Sequence, residues 1–192
     1  MKRLGLLGVV LAACLCGCCG GLRAQDTIRM TGVKRLWLDW RTAGDDADLM
    51  ADVGNERQTI RPETTYEFDD TVSITLYCPT SLLSLNTGRY YPNYSRLLSL
   101  DVSGCPALDS LDCLNAGLTS LDVSHNRALT YLRVGYGSTS LTSLDVSQNG
   151  ALAYLGCGGS NLVSLDLSHN AALMYLDFGA NKLTSLDLSH NA

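Results

Sequence analysis

The sequence predicts a solenoid of parallel β coils with few or no helices, preceded by a β-rich cap. The first observation behind this is a block, LxxLDVS or LxxLDLS, that begins at Leu97, Leu118, Leu141, Leu162 and Leu183, at spacings of 21, 23, 21 and 21 residues. The second is a weaker Leu-x-x-Leu-x-apolar block between these, from Leu108 to Cys113, Leu129 to Val134, Leu152 to Cys157 and Leu173 to Phe178, with Leu82 to Thr87 as an earlier copy. The third is the apolar spacing of two inside each block, as in Leu121 and Val123 or Leu176 and Phe178, which is the strand period. A chain repeating at this interval stacks its coils so that each buries an apolar edge against the next, and residues one period apart form columns. The expected coil has two flat faces, each a short parallel ladder or an extended equivalent, around one leucine core.

Taken from the amino terminus, Met1-Lys2-Arg3 is a short basic start, and the apolar run from Leu4 to Leu15 has signal-peptide length, too short for a dependable membrane span. Two cleavage readings stand side by side. Leu11-Ala12-Ala13-Cys14 resembles a lipobox, which would remove residues 1–13 and lipidate Cys14, whereas Leu22-Arg23-Ala24 before Gln25 resembles an ordinary signal-peptidase site that would remove residues 1–24. Both put the mature chain outside the cytoplasm, with Cys14 as its one expected membrane attachment.

Residues 26–81 read as the cap. Val33 to Trp40 is apolar-rich, Gln58 to Phe68 holds a proline turn, and Val72 to Tyr77 alternates before Cys78-Pro79. Asp45, Asp46 and Asp48 form an acidic loop, expected to be a solvated tip. The cap's task is to cover the apolar end of the first coil, because an uncapped solenoid exposes core leucines. The repeats occupy residues 82–192, about five coils, and stop partway through a unit at LTSLDLSHNA, which suggests a fragment or a truncated reading frame.

Charge and cysteine content narrow the partners. Removing Lys2, Arg3 and Arg23 with the leader takes the 14 basic residues to 11 against 19 acidic ones, a net of −8. Such a surface repels phosphate backbones and anionic lipid, so no nucleic-acid partner is expected. Of the mature cysteines, Cys113 and Cys157 take an inward position and stand two coils apart, about 10 Å at strand spacing, too far for a disulfide. Free, buried thiols are expected, with a Cys78 to Cys105 bridge as the alternative.

The columns divide into structural and functional ones. Asn126, Asn149, Asn170 and Asn191 fall where a buried amide can bond the backbone of its own and the adjacent turn, and Cys105 takes that place in the first unit. Asp101, Asp122, Asp145, Asp166 and Asp187 form an outward acidic column, in which adjacent carboxylates ~4.8 Å apart repel by about 0.9 kcal/mol in water. Flanking serines and turn amides offset that repulsion in one reading. Calcium held by Asp122, Asp145 and Asp166 offsets it in the other, although calcium loops normally wrap the ion and include a turn glycine. His125, His169 and His190 share one turn column with Gln148, which reads as a solvated position and not as a zinc site.

Outward positions of the other half vary. Ser110, Tyr131, Tyr154 and Tyr175 precede the second leucine; Asp112, Arg133, Gly156 and Asp177 follow it; Tyr136 lies further out. Stacked tyrosines with small neighbours give rigid, amphipathic contact area, as antibody combining sites do, and Tyr90, Tyr91 and Tyr94 in an inserted loop add to it. Tyr90, Tyr91, Tyr94, Tyr131, Arg133, Tyr136, Tyr154, Tyr175 and Asp177 are the expected ligand-binding set, for a protein or, since tyrosine stacks on sugar rings, a carbohydrate. The competing reading is a tyrosine column that merely covers and stabilises its sheet. All three histidines share one column, so no catalytic constellation can be drawn, and Gly156-Cys157-Gly158-Gly159-Ser160 matches no phosphate-loop spacing. No enzyme activity and no cofactor are expected.

The pattern resembles the bacterial leucine-rich repeats of the nested type, with consensus LxxLxCxxNxLxxLDLxxN and a 21-residue unit, found in internalin-like surface proteins. The resemblance spans roughly Leu82 to Ala192, and Leu36-Trp37-Leu38-Asp39-Trp40 with Val72 to Tyr77 looks like the β-rich cap of such proteins. It implies a monomeric adhesion or interaction scaffold, secreted or at the cell surface or outer membrane of a bacterium. The alternatives are a targeting region for a catalytic domain beyond Ala192 and a calcium-stabilised stalk.

Overall fold

The computed structural model describes residues 2–3, 27–42, 49–53, 56–61, 64–77, 82–87, 97, 99–136 and 141–191. Most of residues 1–24, Asp45 to Asp48, Cys78, and Tyr90, Tyr91 and Tyr94 lie outside them. Among the described residues there are strands β1 (Lys2–Arg3), β2 (Thr27–Thr42), β3 (Leu49–Val53), β4 (Glu56–Ile60), β5 (Thr64–Tyr77), β6 (Leu82–Asn86), β7 (Ser99–Asp101), β8 (Ser110–Leu114), β9 (Tyr131–Gly135), β10 (Tyr154–Gly156) and β11 (Tyr175–Asp177), and no helix.

Strands β6, β8, β9, β10 and β11 form a parallel ladder of five rungs in which Leu85, Leu111, Leu132, Leu155 and Leu176 are in register. The ladder continues past the strand ends, where Ala153 N–H donates to Thr130 O and Met174 N–H to Ala153 O, each at 2.8 Å. Four of the rungs then turn through a left-handed residue: Asn115, Tyr136, Gly159 and Ala180 have φ of 60°, 53°, 64° and 54°. The position, not the residue type, demands that conformation, since it is met by asparagine, tyrosine, glycine and alanine alike.

Of the two expected forms, the LDVS half takes the extended one and the other half the ladder. Of its five blocks only Ser99–Asp101 forms a strand, and one isolated bridge joins Asp101 to Asp122. The rest is extended chain, ending in tight turns such as Asn149 N–H to Val146 O at 3.0 Å. The reason is the turn itself: Asp and Ser bond locally there and compete with the backbone pairing that a ladder needs.

Both halves point their leucines into one core. Leu108, Leu111, Leu118, Leu129, Leu132, Leu141, Leu152, Leu155 and Leu162 are fully buried, each worth roughly 1.5–3 kcal/mol relative to exposure. Cys113, Val134 and Cys157 fill one inner column. Cys105, Cys113 and Cys157 are free and buried, and burial pushes the Cys157 thiol up to about 12, so it stays protonated and unreactive.

Strand β2 joins the N-terminal strands to the repeats. It pairs with β5 along most of its length, with β7 through Arg29 to Thr31, and with β6 through Asp39 to Thr42. One 16-residue strand therefore lies against both halves of the first coil. Ile28, Met30, Val33 and Trp40 add to the leucine core, and Arg29 pairs with Asp101 at 3.4 Å.

Candidate recognition face

The parallel register places Tyr131, Tyr154 and Tyr175 on successive rungs. Their rings stack: centroids are 4.4 Å apart for Tyr131 and Tyr154 and 4.5 Å apart for Tyr154 and Tyr175, with interplanar angles of 15° and 5°. A spacing this close to the strand separation means that the ring normals run along the ladder. Each internal ring face is then covered by its neighbour, and the column presents edges and hydroxyls outward. Exposure grows along it, from half-buried Tyr131 and Tyr154 to Tyr175 at 52%. Met174 beside Tyr175 is 87% exposed, which extends the apolar surface at that end.

The next column holds Asp112, Arg133, Gly156 and Asp177. Arg133 pairs with Asp112 at 3.5 Å and also bonds the Tyr131 hydroxyl. Asp112 accepts from Leu114 N–H at 3.0 Å, yet burial outweighs that bond and the arginine and holds its carboxyl above the usual carboxylate range. Gly156 leaves room for its neighbours: a Cβ there would stand 3.2 Å from Arg133 Cγ and 3.4 Å from Tyr154 Cε1.

Tyr136 is exposed and also makes a bond within the chain. Its hydroxyl donates to Asp177 Oδ2 at 2.9 Å, two rungs away, and Asp177 Oδ1 accepts from Gly179 N–H at 3.2 Å. The ring crosses Gly158 and Gly159, where added Cβ atoms would lie 2.7 Å from its hydroxyl and 2.8 Å from its Cδ1. Tyr136 and Asp177 thus form a strap whose passage the two glycines permit. The link was not legible beforehand, because it joins residues 41 apart through a gap that only side-chain loss creates.

In the asparagine column Asn126, Asn149 and Asn170 are buried and Asn191 is half-buried. Asn126, Asn149, Asn170 and Asn191 each donate twice from Nδ2 to carbonyls of the preceding unit, at 2.8 to 3.0 Å, for example Asn149 to Val123 O and Asn126 O. Both bonds cross to the preceding unit; neither stays in the residue's own turn. Asn181 performs a related task, donating to Cys157 O and Phe178 O while accepting from Leu162 N–H. Sequence reasoning passed over it because it occurs in a single copy, although it stands at the first asparagine of the nested consensus.

In the acidic column each aspartate bonds its own serine. Asp122, Asp145, Asp166 and Asp187 accept from the backbone N–H two residues on at 2.9 Å, and Asp101 also takes the Ser103 hydroxyl at 2.6 Å. Backbone amide and serine hydroxyl bonds hold Asp122, Asp145, Asp166 and Asp187 below the usual carboxylate range despite their mutual repulsion. Among the described residues no group of three or more His, Cys, Asp or Glu is placed to hold a metal ion. His125, His169 and His190 are exposed, each sharing a hydrogen bond with the preceding serine.

A leucine-rich repeat family model matches residues 137–157 and 179–192. Among solved structures, the functional domain of InlJ from Listeria monocytogenes, which includes a cysteine ladder, is similar over 50% of this chain at 36% identity, with a TM-score of 0.39. The match takes in 26% of that chain, so the present chain spans about a quarter of its length. No match is found among curated proteins.

Proposed function

We propose that this leucine-rich repeat solenoid, internalin-like in pattern, is an extracytoplasmic binding scaffold whose tyrosine column receives a protein ligand. The observation that carries the reading is the three-ring stack, held in register by the backbone and presenting phenolic edges and hydroxyls. Preorganised aromatic edges lose little side-chain entropy on binding, which is why tyrosine concentrates at protein interfaces. Exposed Met174 supplies an adaptable apolar neighbour of the kind such interfaces use. Outward edges and hydroxyls suit a protein surface along the length of the column, with a carbohydrate as the alternative ligand.

The reading places the mature chain outside a bacterial cell after loss of residues 1–24, or of 1–13 with a lipid on Cys14, and treats residues 26–81 as the cap of a monomeric adhesion module. It assigns no catalytic step to the repeats. The test is the triple variant Y131S/Y154S/Y175S, screened beside the parent against a displayed library of extracellular proteins. The parent captures a ligand, and the variant loses at least about tenfold in affinity. Two stacked pairs at ~0.5–1.5 kcal/mol each also lower the melting temperature by several degrees. A ligand held equally well by the destabilised variant would make the tyrosines a purely structural column.

A further inference from the structure

Tyr154 and Tyr175 lie on adjacent rungs of the ladder with their backbones in register. Their ring centres are 4.5 Å apart and their planes within 5° of parallel, whereas Tyr131 and Tyr154 are inclined by 15°. The Tyr154 hydroxyl bonds that of Tyr175, so the ring edges that carry the oxygens, and the ortho carbons beside them, lie together. Tyr175 is exposed and open to a reagent in solution. The thiols that would intercept a radical first, those of Cys105, Cys113 and Cys157, are buried in the leucine core.

We infer that Tyr154 and Tyr175 are a site of oxidative cross-linking, where a one-electron oxidant of the peroxidase class, using hydrogen peroxide, joins the two rings by a bond between their ortho carbons. The inference rests on ring geometry and is independent of any ligand of this face. Each phenol gives one electron to the oxidant and its hydroxyl proton to water, which leaves two phenoxyl radicals with spin density on the ortho carbons. Those carbons pair their electrons in the new bond. Each then sheds its hydrogen as a proton, and each oxygen takes a proton back. The sum is two C–H bonds lost, one C–C bond gained, and one hydrogen peroxide reduced to two waters.

The fold supplies what this step lacks in free tyrosine. Recombination of dilute radicals is bimolecular and slow, and two rings held on adjacent rungs meet at a high effective concentration instead. The unpaired electrons occupy orbitals perpendicular to the ring planes, so the bond starts along the ring normals, and in a parallel stack those normals point at the neighbouring ring. Exposed Tyr175 has room to tilt into the joined geometry, while Tyr131 at the other end is held by Arg133 and Tyr136 is engaged by Asp177. Tyr154 and Tyr175 stand one 21-residue spacing apart, so the link closes a loop across the fourth and fifth rungs and restricts the unfolded chain.

The experiment treats the dilute exported chain with a haem peroxidase and hydrogen peroxide, and reads the product by peptide mass mapping and dityrosine fluorescence. The parent gives a monomeric product lighter by two hydrogens, with the peptides of Tyr154 and Tyr175 joined. Y154F and Y175F keep the rings but cannot form the phenoxyl, and each lowers the yield of that product by about tenfold or more, while Y131F leaves it unchanged. Exposed Met174 takes an oxygen atom from peroxide in parallel, a gain in mass that M174L removes without changing the link. The cross-linked parent melts several degrees above the untreated one, and unfolding in urea before treatment lowers the yield by about tenfold or more. No link in the parent, a link mapped to Tyr131 or Tyr136 or between chains, or an equal yield from the unfolded chain overturns the site.

Discussion

Between Tyr131 and Arg133 the backbone pairs with a rung on each side, whereas between Thr142 and Ser147 it belongs to no strand or bridge. The two halves carry almost the same leucine spacing, yet they satisfy their polar groups by different means. In the ladder half main-chain groups bond each other, so outward side chains are released from that work and differ from rung to rung. In the LDVS half asparagine amides and aspartate carboxylates do the bonding, and the same residues must recur. Repetition in the sequence therefore marks where side chains replace a sheet, and variation marks where the main chain releases them from that work.

The largest expected effect is an exception within the tolerant half. Gly135 has φ of 117°, and a Cβ there would collide with the Gly158 carbonyl and stand 2.9 Å from Ser160 Oγ. G135A should cost about 3 kcal/mol and lower the melting temperature by roughly 6–12 °C, measured by calorimetry. An unchanged melt would mean that the turns of the ladder half are as permissive as its strands. Next comes N149A, which strands the carbonyls of Val123 and Asn126. The amide's own Oδ1 has no partner, which offsets part of the loss, so about 2 kcal/mol is expected, with ligand affinity unchanged. A thermally neutral N149A would show that the extended half holds together by leucine packing alone.

The smallest effect is acid sensitivity. Carboxyls of Asp122, Asp145, Asp166 and Asp187 are depressed in the folded state, so their stabilisation is complete above the ordinary value of 3.8 and is lost as pH falls through the lower folded values. Asp112 is shifted the other way and gains nothing from ionisation. Melting temperature should hold steady above about pH 5 and drop below about pH 4, with a shallower drop in D145N. Equal slopes for the parent and D145N would detach that carboxylate from stability.

The columns were legible because period 21 makes them visible without any knowledge of the fold. Which half forms the sheet was not, since both alternate apolar residues in the same way, and only the local competition from Asp and Ser decides it. The tyrosines were legible as a column but not as a stack: their sequence spacing says that they adjoin, and says nothing of whether faces or edges look outward. Arg133 was legible as an outward residue, whereas its use on Asp112 and Tyr131 depends on the space left at Gly156.

The bond from Tyr136 to Asp177 skips a rung. A stack held together solely by adjacent contacts can unpeel one layer at a time from its end under tension. Here the fifth rung cannot part from the fourth without also breaking its hold on the third, so opening the stack at this point engages two layers at once. A chain pulled through this region should yield in one larger event where a simple row of coils would give a series of small ones.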